Sequence, residues 1–196
     1  MFNVEKLIQV CGYILKKYDG RLNYTKLIKL LYLADKEALK ESLITISDDE
    51  YVCMTNGPVL ISLYDLIRNR YSNNDDINAQ SLWNARFIKD GYDLVYISPQ
   101  YPEGKMSEYD KDVIDRIDAQ YHDKSHGELI NAVHRREICP EWTDPGHGTT
   151  SPLHLEKILK SIGCSDKEIL WFLEEKEIYE EEDRHFDKIA ELIVSK

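Results

Sequence analysis

A chain of 196 residues with 42% hydrophobic side chains can bury one substantial core, and its net charge of −11 disfavours general attraction to nucleic acid, because phosphate binding needs Lys and Arg to displace counterions. The four cysteines, Cys11, Cys53, Cys139 and Cys164, lie far apart with no C-x-x-C pair, so neither a disulfide framework nor a zinc ribbon is indicated. The first apolar run carries Glu5, Lys6 and Gln9, and no uncharged run approaches a bilayer span, so the expected compartment is the cytoplasm and no membrane is expected as a partner.

Leu7, Val10, Cys11, Ile14 and Tyr18 recur at helical spacing, which predicts a first helix from Asn3 to about Tyr18, stopped by Asp19-Gly20. With Asn23 or Thr25 as N-cap, TKLIKLLYLADKEALKES predicts a longer second helix ending near Ser42. Ile44, Ile46 and Tyr51 to Met54 read as short extended segments. Pro58 fixes its own φ and lacks an N–H, as the first turn of a helix allows, and Gly57 can take backbone angles that other residues avoid. The Asn56-Gly57-Pro58 corner is therefore expected to launch a third helix through about Arg70.

The stretch LWNARFIKDGYDLVYIS, Leu82 to Ser98, holds two β-prone runs around Asp90-Gly91, a pair suited to a hairpin turn. A fourth helix follows from about Ser107 to His122. Ser125 and Glu128 form a capping box that opens a fifth, which Pro140 is expected to end. PEWTDPGHGTT reads as loop, and Ser151-Pro152 as a further helix start. Ser165 with Glu168 makes a second capping box before an acidic helix that runs to the C-terminus. These elements predict a mainly α (α+β) fold: a compact helical domain over residues 1–150 with a small antiparallel β-hairpin and short strands, and an acidic helical C-terminal extension over residues 151–196.

On a helical wheel Lys26, Lys29, Lys36 and Lys40 of the second helix share one face, opposite Leu27, Ile28, Leu31, Tyr32, Ala34, Ala38 and Leu39. Asp35 falls inside the apolar arc. A lone carboxylate there is costly to desolvate, so it is expected to pair with an Arg, His or Tyr, or to accept from a loop backbone, and to organise the core. Of the six histidines, His122 and His126 stand four apart but straddle the break at Ser125, with no H-E-x-x-H around them, so no metal and no cofactor is expected. No nucleophile elbow or glycine-rich phosphate loop is present.

Charge is unevenly placed. Residues 1–40 carry +4, whereas residues 141–196 carry −7. The run EEKEIYEEEDRHFD concentrates the acidity in Glu174, Glu175, Glu177, Glu180, Glu181, Glu182 and Asp183. Such a run is a solvated helix face or a docking surface for a basic protein, which it would steer in by its field.

KLIKLLYLADKEALKE, YVCMTNGPVLISLYDLI and HRREICPEW, in that order, resemble the Panacea domain of the SocA-like antitoxins of bacterial and phage toxin–antitoxin systems, over about residues 4–142. The motif positions are Lys29, Tyr32 and Asp35 on the second helix, Asn56, Gly57 and Pro58 at the corner, Tyr64 and Asp65 after it, and His134 and Trp142 in the last block. Asn56 stands where that family frequently has His, and the last block carries an extra Arg-Arg-Glu. The resemblance implies a non-catalytic, mostly helical antitoxin that neutralises a toxin encoded by the adjacent gene, by direct binding or by presenting it to a cellular protease. It further implies that the corner locks helix three against helix two, with Asp35, Tyr64 and Asp65 near the junction. A second reading is a DNA-binding transcriptional regulator using the lysine face of helix two. A third is a small hydrolase pairing His134 with Asp35.

Overall fold

Two asparagine caps set the N-terminal half. Asn3 accepts the Lys6 N–H and opens α1 (Val4–Lys16), and Asn23, the last residue of β1 (Arg21–Asn23), accepts from the Thr25 and Lys26 N–H groups and opens α2 (Tyr24–Ser42). Of the two expected caps for α2, the asparagine serves. Between them Asp19 and Gly20 take φ of 53° and 80°, and the Gly20 N–H donates to the Leu15 carbonyl, so the chain turns where the Asp-Gly stop predicts. The computed structural model describes residues 2–72, 78–102 and 104–194, with side chains near the C-terminus described through residue 182 except that of Glu180.

The remaining elements are β2 (Tyr51–Met54), β3 (Gly57–Leu60), α3 (Ile61–Ile67), α4 (Ala79–Asn84), β4 (Phe87–Asp90), β5 (Asp93–Tyr96), α5 (Glu108–Tyr121), α6 (His126–Val133), β6 (Ser151–Pro152), α7 (Leu155–Ser161) and α8 (Asp166–Val194). The fold is mainly helical α+β, with two three-stranded antiparallel sheets ordered β1-β5-β4 and β3-β2-β6. α2 is its axis. α3, α5, α6, α7, β1 and β3 all pack on it, and its buried residues run without a break from Lys26 to Asp35. A helix enclosed on every side has no solvent face for its polar residues to occupy.

The Gly-Pro corner does not start a helix. Gly57 and Pro58 begin β3, paired with Met54 and Cys53 across a two-residue turn at Thr55-Asn56. Gly57 has φ of 101° at the position after the turn, where glycine is favoured. Proline is tolerated because β3 is an edge strand. Helix three starts later, at Ile61, and stops at Ile67 rather than Arg70. Its cap comes from outside the helix: the Asp49 carboxylate accepts the Ser62 and Leu63 N–H groups at 3.0 and 2.9 Å. Ile44 and Ile46 are loop, not strand.

Leu82 and Trp83 belong to α4 rather than to the hairpin, and Trp83 stacks on Phe87 at 4.2 Å as the helix hands over to β4. The hairpin turn is Gly91-Tyr92, one residue beyond the expected pair, with Gly91 at φ 61°. α5 opens after Ser107 as expected, on a capping box with Asp110 that the sequence reading did not include, and α6 opens on the expected box of Ser125 and Glu128, but α6 ends at Val133. Residues up to Trp142 follow as tight turns, such as the Cys139 N–H on the Arg135 carbonyl, so Pro140 lies well past the helix. Ser151-Pro152 is a strand, β6, paired with Cys53 and Val52, and the next helix waits until Leu155. The chain beyond residue 150 therefore begins by joining the sheet of the corner, and α7 packs on α2.

Candidate functional site

The lysines of α2 are spent inside the fold. Lys26 Nζ donates to the His122 carbonyl at the end of α5 at 2.5 Å and lies 4.5 Å over the Tyr18 ring. Lys29 Nζ donates to the Pro58 carbonyl at 2.6 Å. Lys36 Nζ reaches the Ile138 carbonyl at 2.7 Å and both oxygens of Glu141. Only Lys40, with 59% of its side chain exposed, is left toward solvent. Three of the four cations of the expected lysine face are thus turned into the surrounding shell, each donating to a backbone carbonyl of another segment. Burial draws the Lys29 pKa down to about 7.

Asp35 holds the loop that follows α2. Its carboxylate accepts the Ile46 and Ser47 N–H groups at 2.8 and 2.9 Å, the Ser47 hydroxyl and the Tyr51 hydroxyl. Burial raises its pKa to about 6 against the lowering pull of those four donors. Asp49, also lifted to about 6 by burial, carries α3 in the manner described above. Tyr32 donates to Glu141 Oε1 at 2.5 Å, so Glu141 joins Tyr32 and Lys36 beneath the last motif block.

The motif positions meet at the hairpin. Gly57 sits so close to α6 that a Cβ there would lie 2.6 Å from Val133 and 3.3 Å from Lys29 Nζ. His134, just past α6, stacks on Trp142 at 4.2 Å with rings 6° apart, and Trp142 Nε1 donates to the Met54 carbonyl of the same hairpin. Burial and the neighbouring Lys29 cation hold His134 below its ordinary pKa, and its buried Nε2 has no hydrogen-bond partner among the described residues. On the open side Lys29, Asn56, Tyr64 and Asp65 line a cleft of about 690 Å³ that Arg70 and the loop from His147 close. Tyr64 lies beneath the guanidinium groups of Arg68 and Arg70 at 5.5 and 5.9 Å.

Asp35 and His134 are not brought together, since the four partners of Asp35 all come from residues 46–51. The hydrolase pairing is therefore not formed. The corner locks against α2 through Lys29 and against α6 through Gly57, and α3, which follows β3 directly, packs on both β3 and α2. Asp49, Ser47, Tyr51, Lys36 and Glu141 complete the network, and none of them stood out as a partner in the sequence. Glu141 carried the one available signal, a polar residue wedged between Pro140 and Trp142 in a block otherwise read as loop.

In the acidic run Glu174, Glu177, Glu181 and Glu182 are exposed and Glu175 is half-buried, all on α8, which opens on the Ser165 and Glu168 box. The side chains of Glu180 and Asp183 lie outside the described residues. Among the described residues no cluster of three or more His, Cys, Asp or Glu side chains is placed to hold a metal ion, and no helix is long and apolar enough to cross a membrane. Residues 27–142 match the family described as antitoxin SocA-like, Panacea domain. No curated protein and no solved structure matches the chain.

Proposed function

The chain belongs to the SocA-like antitoxin family through its Panacea domain, and from that premise we propose that it neutralises a toxin encoded beside it by direct protein–protein contact, without catalysis of its own. A toxin–antitoxin role is what the family gives. The observation that carries the finer reading is the way the motif is spent. Lys29 holds Pro58, Asp35 holds the loop after α2, Tyr32 holds Glu141, and Trp142 holds the hairpin backbone. Side chains committed to backbone and to one another make a rigid frame, which is what a surface for another protein requires. The cytoplasm is the compartment this reading assigns.

A DNA-binding role through α2 gains no support from three lysines engaged internally. Acidic α8 is the charged surface this reading assigns to the partner, through Glu174, Glu175, Glu177, Glu181 and Glu182, with Glu180 and Asp183 continuing the sequence run. The test is co-expression with the product of the adjacent gene. Growth should be arrested by that product alone and restored by this chain, and the two should co-purify. A harmless neighbour, or a lethal one that is not relieved, overturns the reading. If toxin levels fall during rescue, and recover when cellular proteases are removed, the contact serves to present the toxin for degradation.

A further inference from the structure

α8 carries more than charge. Between its first turns and the loop after α2 runs a groove of about 520 Å³, walled by Ile44 on one side and by Trp171, Phe172 and Tyr179 on the other, with Leu155 of α7 at its floor. Ile44, Trp171 and Tyr179 are 65%, 55% and 64% exposed. Large apolar side chains gathered at one place and left in water mark an interaction surface more often than scattered ones do. Trp171, Glu175 and Tyr179 of the lining stand at i, i+4 and i+8 on one helix face, so a carboxylate lies between the two large apolar groups of the wall.

We infer that this groove takes a basic amphipathic helix of the partner protein, its apolar face between Ile44 and Trp171-Tyr179 and its Lys or Arg side chains against Asp48 and Glu175. This deepens the antitoxin reading and rests on it for the identity of the partner. Charge selects the occupant. A second copy of this chain, net −11, would bring a like-charged α8 to the same place, and an anionic lipid surface or nucleic acid would meet the same repulsion. Asp48, Glu175 and Lys176 are the charged residues of the lining, two carboxylates against one ammonium, while the exposed Glu174, Glu177 and Glu181 lie toward the other side of α8. A helix laid in an apolar groove, with opposite charges along the rim, is a recurrent mode of peptide recognition.

The experiment uses the full chain and a labelled synthetic helix of roughly five turns built from Leu and Lys at helical spacing, with a Leu-free Lys peptide of equal charge as control. Anisotropy titration should show the Leu-Lys helix binding, and binding should weaken about tenfold or more in Trp171→Ser/Tyr179→Ser and in Ile44→Ser, as loss of central apolar anchors does. The wall and the loop belong to different elements, so a folding defect in one does not explain both, and each variant is first shown to melt like wild type. Equal binding of the Leu-free peptide, or unchanged binding by both variants, overturns the groove. A wild-type dimer that the same variants dissociate overturns it in favour of a second copy. In cells, wild type that rescues while the groove variants do not supports both readings. Rescue by all of them sinks the groove alone, and failure of wild type sinks the antitoxin reading while the peptide titration still judges the groove.

Discussion

Lys29 and Pro58 meet at 2.6 Å, the ammonium of the central helix on the carbonyl of an edge-strand proline. The contact joins two parts of the motif that sequence reading had joined differently. Pro58 contributes its carbonyl to the frame, and Lys29, 1% exposed, gives up its place in water to bind it.

The contact makes stability depend on pH. Burial holds Lys29 near 7 in the folded chain, whereas an unfolded lysine keeps its proton to about 10.4. Between those values the unfolded state binds more protons, so the Lys29 contribution to stability rises with pH. Other groups titrate over the same range, and the informative quantity is the difference between wild type and Lys29→Met. Urea unfolding at pH 7 and at pH 9.5 should show that difference moving in favour of wild type at the higher pH. A constant difference would place the charge elsewhere.

Asp35→Ala should damage folding before it damages binding. It strands the Ile46 and Ser47 N–H groups and two hydroxyls inside the core, at a cost of about 3 kcal/mol or more. Denaturant midpoints and residual toxin rescue at reduced temperature measure the two effects. A variant that unfolds like wild type yet has lost rescue would make Asp35 a contact residue.

Gly57→Ala combines a positive φ with a Cβ 2.6 Å from Val133, and the expected loss is about 2–4 kcal/mol. Val133→Ala in the same chain should recover the steric part and leave the backbone part, so the two substitutions should not add. A double-mutant cycle by urea unfolding reads the coupling, and additivity would mean that the hairpin moves away from α6 at no cost.

Reversing Glu174, Glu177 and Glu181 to Lys should leave the melting temperature alone, since these side chains are exposed. Association with the toxin at low salt should slow by about tenfold, and the rates of wild type and variant should converge near 0.5 M salt, where the Debye length shrinks to about 4 Å. Equal rates at low salt would leave α8 as a solvated face.

The sequence by itself determined what is local. Asn3, Asn23, Ser125 with Glu128, and Ser165 with Glu168 open helices where their spacing says, because a cap and the N–H it serves lie within three residues of each other. The periodicity of α2, the mainly helical class and the family motif were readable on the same footing, and so was the need of Asp35 for a polar partner, though not which one. Tertiary structure alone decided the rest. Gly57-Pro58 satisfies the local rules for a helix start and for a hairpin, and the choice falls to β2 and β6, the second nearly a hundred residues away in sequence, which build the sheet it edges. The cap of α3 is Asp49, outside the helix it serves. The lysines of α2 make a face on a helical wheel, but a wheel carries no neighbours. Once α3, α5, α6 and α7 enclose the helix, that face becomes its set of attachments to distant carbonyls. The reason is common to all three: a buried polar group must find a partner, and where that partner comes from another element its identity is set by packing, not by spacing along the chain.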